Sequence, residues 1–165
     1  MWEPSRPHTS GDAETPYGPT ERLDGGEVGA AYVWQTPEGW AGRRYHLGTN
    51  KKASNTEIYA IYQALRAFDQ RQESGHRHTI FADSTTAIDR VRTDAIGPYQ
   101  RFAVASREVC TRVLARENEV AVRWVPAHGI SGNEKADEYA RAAAEGRILG
   151  GEAPDKYRWD TSLSQ

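Results

Sequence analysis

The sequence predicts an α/β fold, and two observations support this prediction. Short segments of apolar or alternating residues, which are typical of strands, recur between longer segments with apolar residues at helical spacing. Their order is strand, strand, helix, strand, helix, helix, strand, helix. Strands separated by helices imply a parallel portion of the sheet, and the two opening strands add an antiparallel hairpin.

Each element rests on a local pattern. The predicted strands cover residues 28–35, 42–49, 78–82 and 119–126. The predicted helices cover residues 56–72, 85–91, 99–116 and 133–145. The first helix has the clearest pattern, because Ile58, Ile61, Leu65 and Phe68 follow one another at three- or four-residue spacing. Residues 127–132 are predicted to form the loop before the last helix.

One folded domain over residues 23–145 accounts for most of the chain. The 165 residues are 38% hydrophobic and 27% charged, which is typical of a soluble globular protein. Residues 1–22 contain prolines interspersed with Ser, Thr and Gly, so we expect a disordered region or linker there. Residues 146–165 are predicted to form a C-terminal tail.

Composition also limits where the protein acts and what it binds. The single cysteine, Cys110, excludes an internal disulfide framework and fits a reducing compartment. No apolar run approaches the roughly 20 residues that span a membrane, and the first residues do not resemble a signal peptide. We therefore expect an intracellular protein without a membrane partner. The net charge of −2 does not by itself indicate a nucleic-acid-binding protein, although bound metal ions can supply local positive charge.

Asp83 is the first candidate site residue. It directly follows the apolar strand 78–82, and ligands of open α/β sheets bind at the carboxyl ends of strands. Aspartate is a poor strand residue, so its position requires a reason. The alternative is a structural one, in which Asp83 caps the helix that begins near Thr85.

Two further acids become significant together with Asp83. Glu57 shares one helix face with Ile61 and Phe68, which places its carboxylate at the edge of the buried stripe, where a charge needs a partner or a metal. Asp137 has small neighbours on its helix, which allow close packing. Taken singly, each acid is as well explained by a structural role. Taken together, they predict an all-oxygen site suited to Mg²⁺ or Mn²⁺, acting on nucleic-acid phosphates.

At these residues the sequence resembles ribonuclease H, in particular the type 1 domain of reverse transcriptases from fungal non-LTR retrotransposons. The segments that carry the resemblance are VGAAYV (28–33), TEIYAI (56–61), IFADS (80–84), VRWVPAH (122–128) and GNEKADE (132–138). They occur in the family's order and at its spacing over about residues 23–145. The last two segments are the most specific, and they disfavour a relative that acts on DNA, such as an integrase-like nuclease.

The resemblance implies a five-stranded mixed sheet with helices on both faces. It implies a metal-dependent endonuclease that hydrolyses the RNA strand of an RNA–DNA hybrid with two Mg²⁺ ions, for which Mn²⁺ can substitute, and a place within a reverse transcriptase polyprotein. Glu57, Asp83 and Asp137 match three of the family's four metal carboxylates. His128 matches the loop histidine that assists water activation or product release, and an imidazole on a loop is suited to proton transfer near neutral pH.

The sequence departs from the family pattern at two places. The family's first metal ligand is an aspartate in an apolar first strand, for which Asp24 is the nearest match. An alternative alignment places that ligand position at Pro19, which lacks a ladder donor, and makes Asp24 a turn residue. The loop from His128 to Asn133 is also one residue shorter than in related domains. Both departures keep a second hypothesis open, a catalytically degenerate fold that binds a hybrid or a protein partner without cleaving.

Substrate contacts are predicted on both sides of the metal site. The predicted substrate-binding residues are Asn50, Asn55, Ser84 and Asn133. Asparagine amides can recognise the 2′-hydroxyl groups that distinguish RNA from DNA. Basic residues near the end of the hairpin are further candidates for phosphate contacts, namely Arg43, Arg44, Lys51 and Lys52. Solvated loop residues are the alternative for this group.

Overall fold

The structure is a computed structural model that describes residues 20–22, 26–49, 53–93, 97, 99–149 and 152–156. The strands are β1 (Thr20–Arg22), β2 (Glu27–Thr36), β3 (Gly39–Thr49), β4 (Arg77–Ala82), β5 (Glu119–Trp124) and β6 (Asp155–Lys156). The helices are α1 (Ala53–Arg71), α2 (Thr85–Arg92), α3 (Gln100–Leu114) and α4 (Ser131–Ala144). The predicted α/β class and the order of the predicted elements are confirmed.

The strands form two hydrogen-bonded groups. The first has the order β1-β2-β3-β6, with antiparallel pairing from β1 to β3 and a short parallel pairing of β6 with β3. The second is the parallel pair β4-β5. The opening hairpin and the parallel strands are thus confirmed. The predicted single five-stranded sheet is not, because within the described residues β1 pairs only with β2, over three residue pairs, and no ladder joins the two groups.

Helix α1 supplies the centre of the core. Its predicted apolar stripe is buried, with Ile58 and Ile61 at 0% exposure, Leu65 at 1% and Phe68 at 4%. The helix packs against α3 and β2, which places its inward face, and with it Glu57, toward the sheet. The amphipathic pattern in the sequence was sufficient to predict the buried face of α1, because a single stripe of large apolar residues is stable only when it packs against the core.

Helix α4 lies unusually close to β2, and a glycine makes the approach possible. A Cβ atom at Gly29 would lie 2.0 Å from the backbone oxygen of Ala140, so only glycine fits there. Ala136 and Ala140 are fully buried on the facing side of the helix. This packing of small residues brings Asp137 of α4 to the sheet.

Two helices begin earlier than predicted, and both differences affect the site. Helix α1 begins at Ala53 rather than at residue 56, so Glu57 lies in its second turn. Helix α4 begins at Ser131 because the Glu134 N–H already bonds the Ile130 carbonyl at 3.0 Å. Because β5 also ends at Trp124, the predicted loop 127–132 is shifted to residues 125–130, and Asn133 lies in the first turn of a helix.

Part of the segment predicted as a C-terminal tail contacts the sheet through Arg44. This arginine is 6% exposed, and its guanidinium donates to the carbonyl oxygens of Arg147 at 2.8 Å, Leu149 at 3.4 Å and Glu152. Burial of the guanidinium lowers its pKa from the ordinary value. Arg44 is thus committed to the protein's own backbone, which corrects its assignment as a phosphate contact.

Replacing Arg44 should loosen this segment. We expect Arg44→Met to lower the free energy of unfolding by about 2–4 kcal/mol, since it leaves three partly buried carbonyls without their charged donor. Arg43→Met is the matched control, because Arg43 is exposed and its 3.8 Å pair with Asp155 contributes about 1 kcal/mol or less. Urea denaturation measures both variants. Equal midpoints for the two would contradict the role of Arg44.

His78 of β4 is a buried titratable group away from the acidic residues. It is 1% exposed, stacks on Phe68 with ring centroids 4.2 Å apart, and neither ring nitrogen has a hydrogen-bond partner among the described residues. Burial lowers its pKa, and of the neighbouring charges Glu73 opposes this effect while Arg71 and Arg116 add to it. The folded protein therefore holds His78 as neutral imidazole.

The buried imidazole predicts a loss of stability in acid. The pKa of His78 is lower in the folded than in the unfolded state. The contribution of the neutral His78 side chain to the stability of the folded protein is therefore present above pH about 6.5 and is lost as the pH falls further. His78→Leu should therefore raise the melting temperature more at pH 5.5 than at pH 8. Thermal denaturation at the two pH values measures this difference, and an equal shift at both would refute it.

Candidate active site

Asp83 lies at the carboxyl end of the parallel pair β4-β5, as predicted. The Val125 N–H donates to the Ala82 carbonyl at 3.0 Å, so backbone pairing continues to the residue before Asp83. The Trp124 indole Nε1 donates to the backbone oxygen of Asp83 at 3.1 Å, although Trp124 itself is 55% exposed. The backbone of Asp83 is therefore held from the neighbouring strand, and its side chain is half-buried.

The structural alternative for Asp83 is wrong, because Ser84 is the residue that caps α2. Ser84 has extended backbone angles, and its hydroxyl oxygen accepts the Ala87 N–H at 3.1 Å. A helix N-terminus needs one such side chain at the cap position, so the Asp83 carboxylate is not used for capping. A carboxylate at the end of a buried strand without this structural duty is available for chemistry.

Glu57 is a strongly perturbed acid of the site. It is 7% exposed, and its pKa is raised to about 8, first by burial and then by the negative charge of Asp83. Asp137 raises the pKa further, as does a hydrogen bond shared with Asp83, whereas a hydrogen bond from Ser84 lowers it. Its Oε2 atom is buried and has no hydrogen-bond partner among the described residues. Two carboxylates in contact, one of them buried, favour either a shared proton or a cation.

Helix α4 supplies the third acid and connects it to the first. Asn133, fully buried in its first turn, donates from Nδ2 to Asp83 Oδ2 at 3.1 Å and to the Ala127 carbonyl at 2.9 Å. Asp137 follows one turn later and, with His128, lines a cleft of about 290 Å³. The structure therefore brings Glu57 and Asp83 into contact and places Asp137 and His128 along one cleft, so four of the five predicted catalytic residues lie in the described part of the chain. The fifth, Asp24, lies outside the described residues, and its role stays a prediction.

The donor set fits a hard divalent cation. Every described candidate ligand offers carboxylate oxygens, which Mg²⁺ and Mn²⁺ prefer, and the unpartnered Oε2 of Glu57 is a buried acceptor that a cation would satisfy. Within the described part of the chain, no three acids, histidines or cysteines are close enough to form a complete metal-binding group.

The predicted substrate-binding residues have different environments. Asn55 is 4% exposed, and its Oδ1 accepts from the Arg90 guanidinium at 3.2 Å. Ser84 is half-buried at the cap of α2, and Asn133 is buried behind Asp83. Asn50 lies outside the described residues. Direct contact with a substrate stays a prediction for all four, and for Asn133 the burial favours an indirect role.

Sequence reasoning missed two residues that hold the site. Trp124 supports the backbone of Asp83, and Glu134 Oε1 accepts the Gly129 N–H at 3.1 Å, next to His128. A glutamate early in a helix that bonds back to a preceding N–H is a known capping pattern, so its place in the sequence was a usable signal for Glu134. No local pattern indicates the indole contact of Trp124.

The fold and the site together define an α/β protein with an acidic cluster at the carboxyl end of a parallel strand pair. The RNase H family model matches residues 21–145, three quarters of the chain. The chain therefore belongs to the RNase H family.

Solved structures agree with the fold. RNase H1 from the halophilic archaeon Halobacterium salinarum NRC-1 is 19% identical, with a TM-score of 0.61 over 80% of this chain and 97% of that one. The N-terminal RNase H domain of a Mycobacterium tuberculosis protein, solved as a fusion with maltose-binding protein, is 15% identical, with a TM-score of 0.60 over 81% and 95%. At these identities the two structures support the fold alone. None of the described helices is long and apolar enough to cross a membrane.

Proposed function

We propose that this protein is a metal-dependent endonuclease that hydrolyses the RNA strand of RNA–DNA hybrids. Membership of the RNase H family supports a nuclease that acts on such hybrids. The observation that carries the proposal is the contact between Glu57 and Asp83 at the end of β4, with Glu57 buried and its Oε2 without a partner. A buried acid in contact with a second, half-buried acid at a ligand-binding edge is a costly arrangement that metal binding explains.

The residues have separable roles in this proposal. Glu57, Asp83 and Asp137 hold the divalent cations, with Asp24 as the proposed fourth ligand. Two Mg²⁺ ions, or Mn²⁺ in their place, would supply an activated water and stabilise the leaving oxygen of the phosphodiester. The exposed His128 lies in the same cleft as Asp137, where its imidazole can accept or donate a proton. No residue is required to form a covalent intermediate.

The remaining expectations belong to the same proposal. The WVPAH and GNEKAD segments support a place within the reverse transcriptase of a fungal non-LTR retrotransposon, and the composition supports an intracellular location. Of the four proposed substrate-binding residues, Asn50 precedes α1 in the chain and Asn55 belongs to the first turn of that helix, and both would contact the hybrid near Glu57.

A degenerate fold that binds hybrid without cutting is the second candidate, and one observation favours it. The first strand of the family carries its aspartate ligand within the strand, whereas β1 consists of Thr20, Glu21 and Arg22. The nearest aspartate, Asp24, follows β1 by two residues. If Asp24 does not reach the cations, the site has three carboxylates and a weaker hold on them.

Cleavage of an end-labelled RNA–DNA hybrid tests the proposal. We expect RNA fragments with 3′-hydroxyl and 5′-phosphate ends in Mg²⁺ or Mn²⁺, no products in EDTA, and no cutting of a DNA duplex of the same sequence. An Asp137→Asn protein purified in parallel detects contaminating nuclease. Absence of products in either metal, with circular dichroism showing a folded domain, would overturn the proposal. Hybrid retention on a filter in that case would establish the second candidate.

The role of Asp24 has its own test. If Asp24 is the fourth ligand, Asp24→Asn should raise the Mg²⁺ concentration needed for half-maximal cleavage and reduce the maximal rate. Equal cleavage by the wild-type protein and this variant across a Mg²⁺ titration would show that Asp24 is not a ligand.

A further inference from the structure

We infer that Asn133 is a positioning residue that holds the Asp83 carboxylate and the loop carrying His128 in one arrangement. This inference rests on the proposed function, because it concerns how the same site is organised. Asn133 is fully buried in the first turn of α4, which disfavours direct contact with a hybrid. It acts through the two groups that its amide contacts.

The hydrogen bonds of Asn133 determine the orientation of its amide. Nδ2 donates to Asp83 Oδ2 at 3.1 Å and to the Ala127 carbonyl at 2.9 Å, which uses both of its protons. The opposite amide orientation would direct Oδ1 at two oxygen acceptors and lose both bonds, so the neighbours settle which atom is nitrogen. A single NH₂ group therefore connects the end of β4 to the loop before α4.

The contact to Asp83 limits how that carboxylate can turn. One N–H bond to Oδ2 still leaves acceptor capacity on both oxygens, so Asp83 can hold a cation while Asn133 holds Asp83. Outer hydrogen bonds of this kind orient ligating side chains, and their loss typically lowers metal affinity or activity by about 10–100-fold.

The contact to Ala127 forms one half of a double attachment around His128. Asn133 holds the residue before His128, and Glu134 Oε1 accepts the N–H of Gly129, the residue after it. Both attachments come from the first turn of α4, while the His128 side chain remains exposed. The first turn of α4 therefore holds both the Asp83 carboxylate and the loop that carries His128 into the cleft. Asp137 follows on the same helix.

Asn118 offers a matched control for the test. It is also a buried asparagine, 6% exposed, and its Nδ2 donates to the carbonyls of Glu73 at 2.8 Å and Val113 at 3.0 Å. It precedes β5, at the opposite end of that strand from the proposed active site. Asn133→Leu and Asn118→Leu each remove two donor bonds, and Asn118→Leu also removes the bond that Oδ1 accepts from the His76 N–H at 2.8 Å. Only Asn133 contacts the proposed active site.

The two variants are compared by melting temperature, by steady-state cleavage of a labelled hybrid, and by calorimetric titration with Mg²⁺. We expect Asn118→Leu to lower the melting temperature at least as much as Asn133→Leu, because it removes one more hydrogen bond. We expect Asn133→Leu alone to lower kcat by about 10–100-fold and to weaken Mg²⁺ binding by a similar factor, with KM for the hybrid changed less than about threefold. Equal effects of the two substitutions on kcat and Mg²⁺ affinity would overturn the inference.

A second variant and the wild-type protein keep the outcomes distinct. If Asn133→Leu fails to fold, Asn133→Ser takes its place, because serine retains one donor. The Mg²⁺ affinity of Asn133→Ser should be lower than that of the wild-type protein without being lost completely. An affinity equal to that of the wild-type protein would overturn the inference. Failure of the wild-type protein to cleave a hybrid refutes the proposed function. In that case the Mg²⁺ titration by itself decides whether Asn133 is a positioning residue. In the double variant Asn133→Leu/His128→Ala, the loss of kcat, expressed as a free energy, should be smaller than the sum of the losses in the two single variants.

Discussion

Asp83→Asn should reduce cleavage of an RNA–DNA hybrid at least about 10³-fold, because it removes a ligand from cations worth several kcal/mol in the transition state. The substitution changes charge and hardly changes shape. The asparagine oxygen can still accept the N–H of Asn133, and the indole of Trp124 still bonds the backbone oxygen of residue 83. The fold should therefore survive, and the loss should lie in kcat and in Mg²⁺ affinity.

Asp89→Asn is the matched control for this variant. Asp89 is an exposed acid on α2, six residues beyond Asp83, so the same change of charge there should leave cleavage within about twofold of wild type. The rates are compared under single-turnover conditions with saturating protein. Retention of more than a tenth of the wild-type rate by Asp83→Asn would show that this carboxylate does not hold a catalytic cation.

Glu57→Gln should stabilise the metal-free protein at alkaline pH while abolishing cleavage. The pKa of Glu57 is raised to about 8 in the folded state against an ordinary 4.5. Between these values the unfolded chain is ionised while the folded protein keeps the proton. The contribution of the protonated Glu57 to the free energy of unfolding is therefore fully present below pH about 4.5, and it is lost as the pH rises through about 8. Glutamine removes this dependence, because its amide has no proton to lose.

Urea denaturation in EDTA measures the effect. Between pH 5 and pH 9, the free energy of unfolding of Glu57→Gln should rise relative to that of the wild-type protein by roughly 2–4 kcal/mol. Glu108→Gln, which changes an exposed glutamate of α3, should show almost no such change. Mg²⁺ should restore the alkaline stability of the wild-type protein alone, since cations bind the ionised carboxylates. The same difference between wild type and Glu57→Gln at both pH values would refute the assignment of a raised pKa.

The elements of the fold were predictable where one local pattern dominates. The stripe of α1 from Ile58 to Phe68 is buried as expected, because no other placement removes those side chains from water. Helix starts were less predictable. The early start of α4 at Ser131 has no side-chain cap and depends on the chain leaving Ile130 in an extended conformation. The arrangement of the strands in the sheet was also beyond local patterns, because pairing joins residues far apart in the chain.

The candidate site shows the same division. Asp83 was recognisable from its place after an apolar strand, and Glu57 from its place on a helix face. The choice between a cap and a functional acid at Asp83 depended on Ser84, whose hydroxyl takes the capping bond. The assignment of Arg44 to phosphate binding failed because its partners, the carbonyls of residues 147, 149 and 152, lie about 100 positions away in the chain.

The sequence by itself determined the α/β class, the helical stripe of α1 and the identity of the acids, because these follow from residue type and short-range spacing. Only the tertiary structure decided that the buried Glu57 contacts the half-buried Asp83 and that the Asn133 amide donates to the Asp83 carboxylate. Burial and long-range hydrogen bonds determine the pKa of Glu57 and the orientation of Asp83. Both arise only when distant segments pack together, which spacing along the chain cannot express.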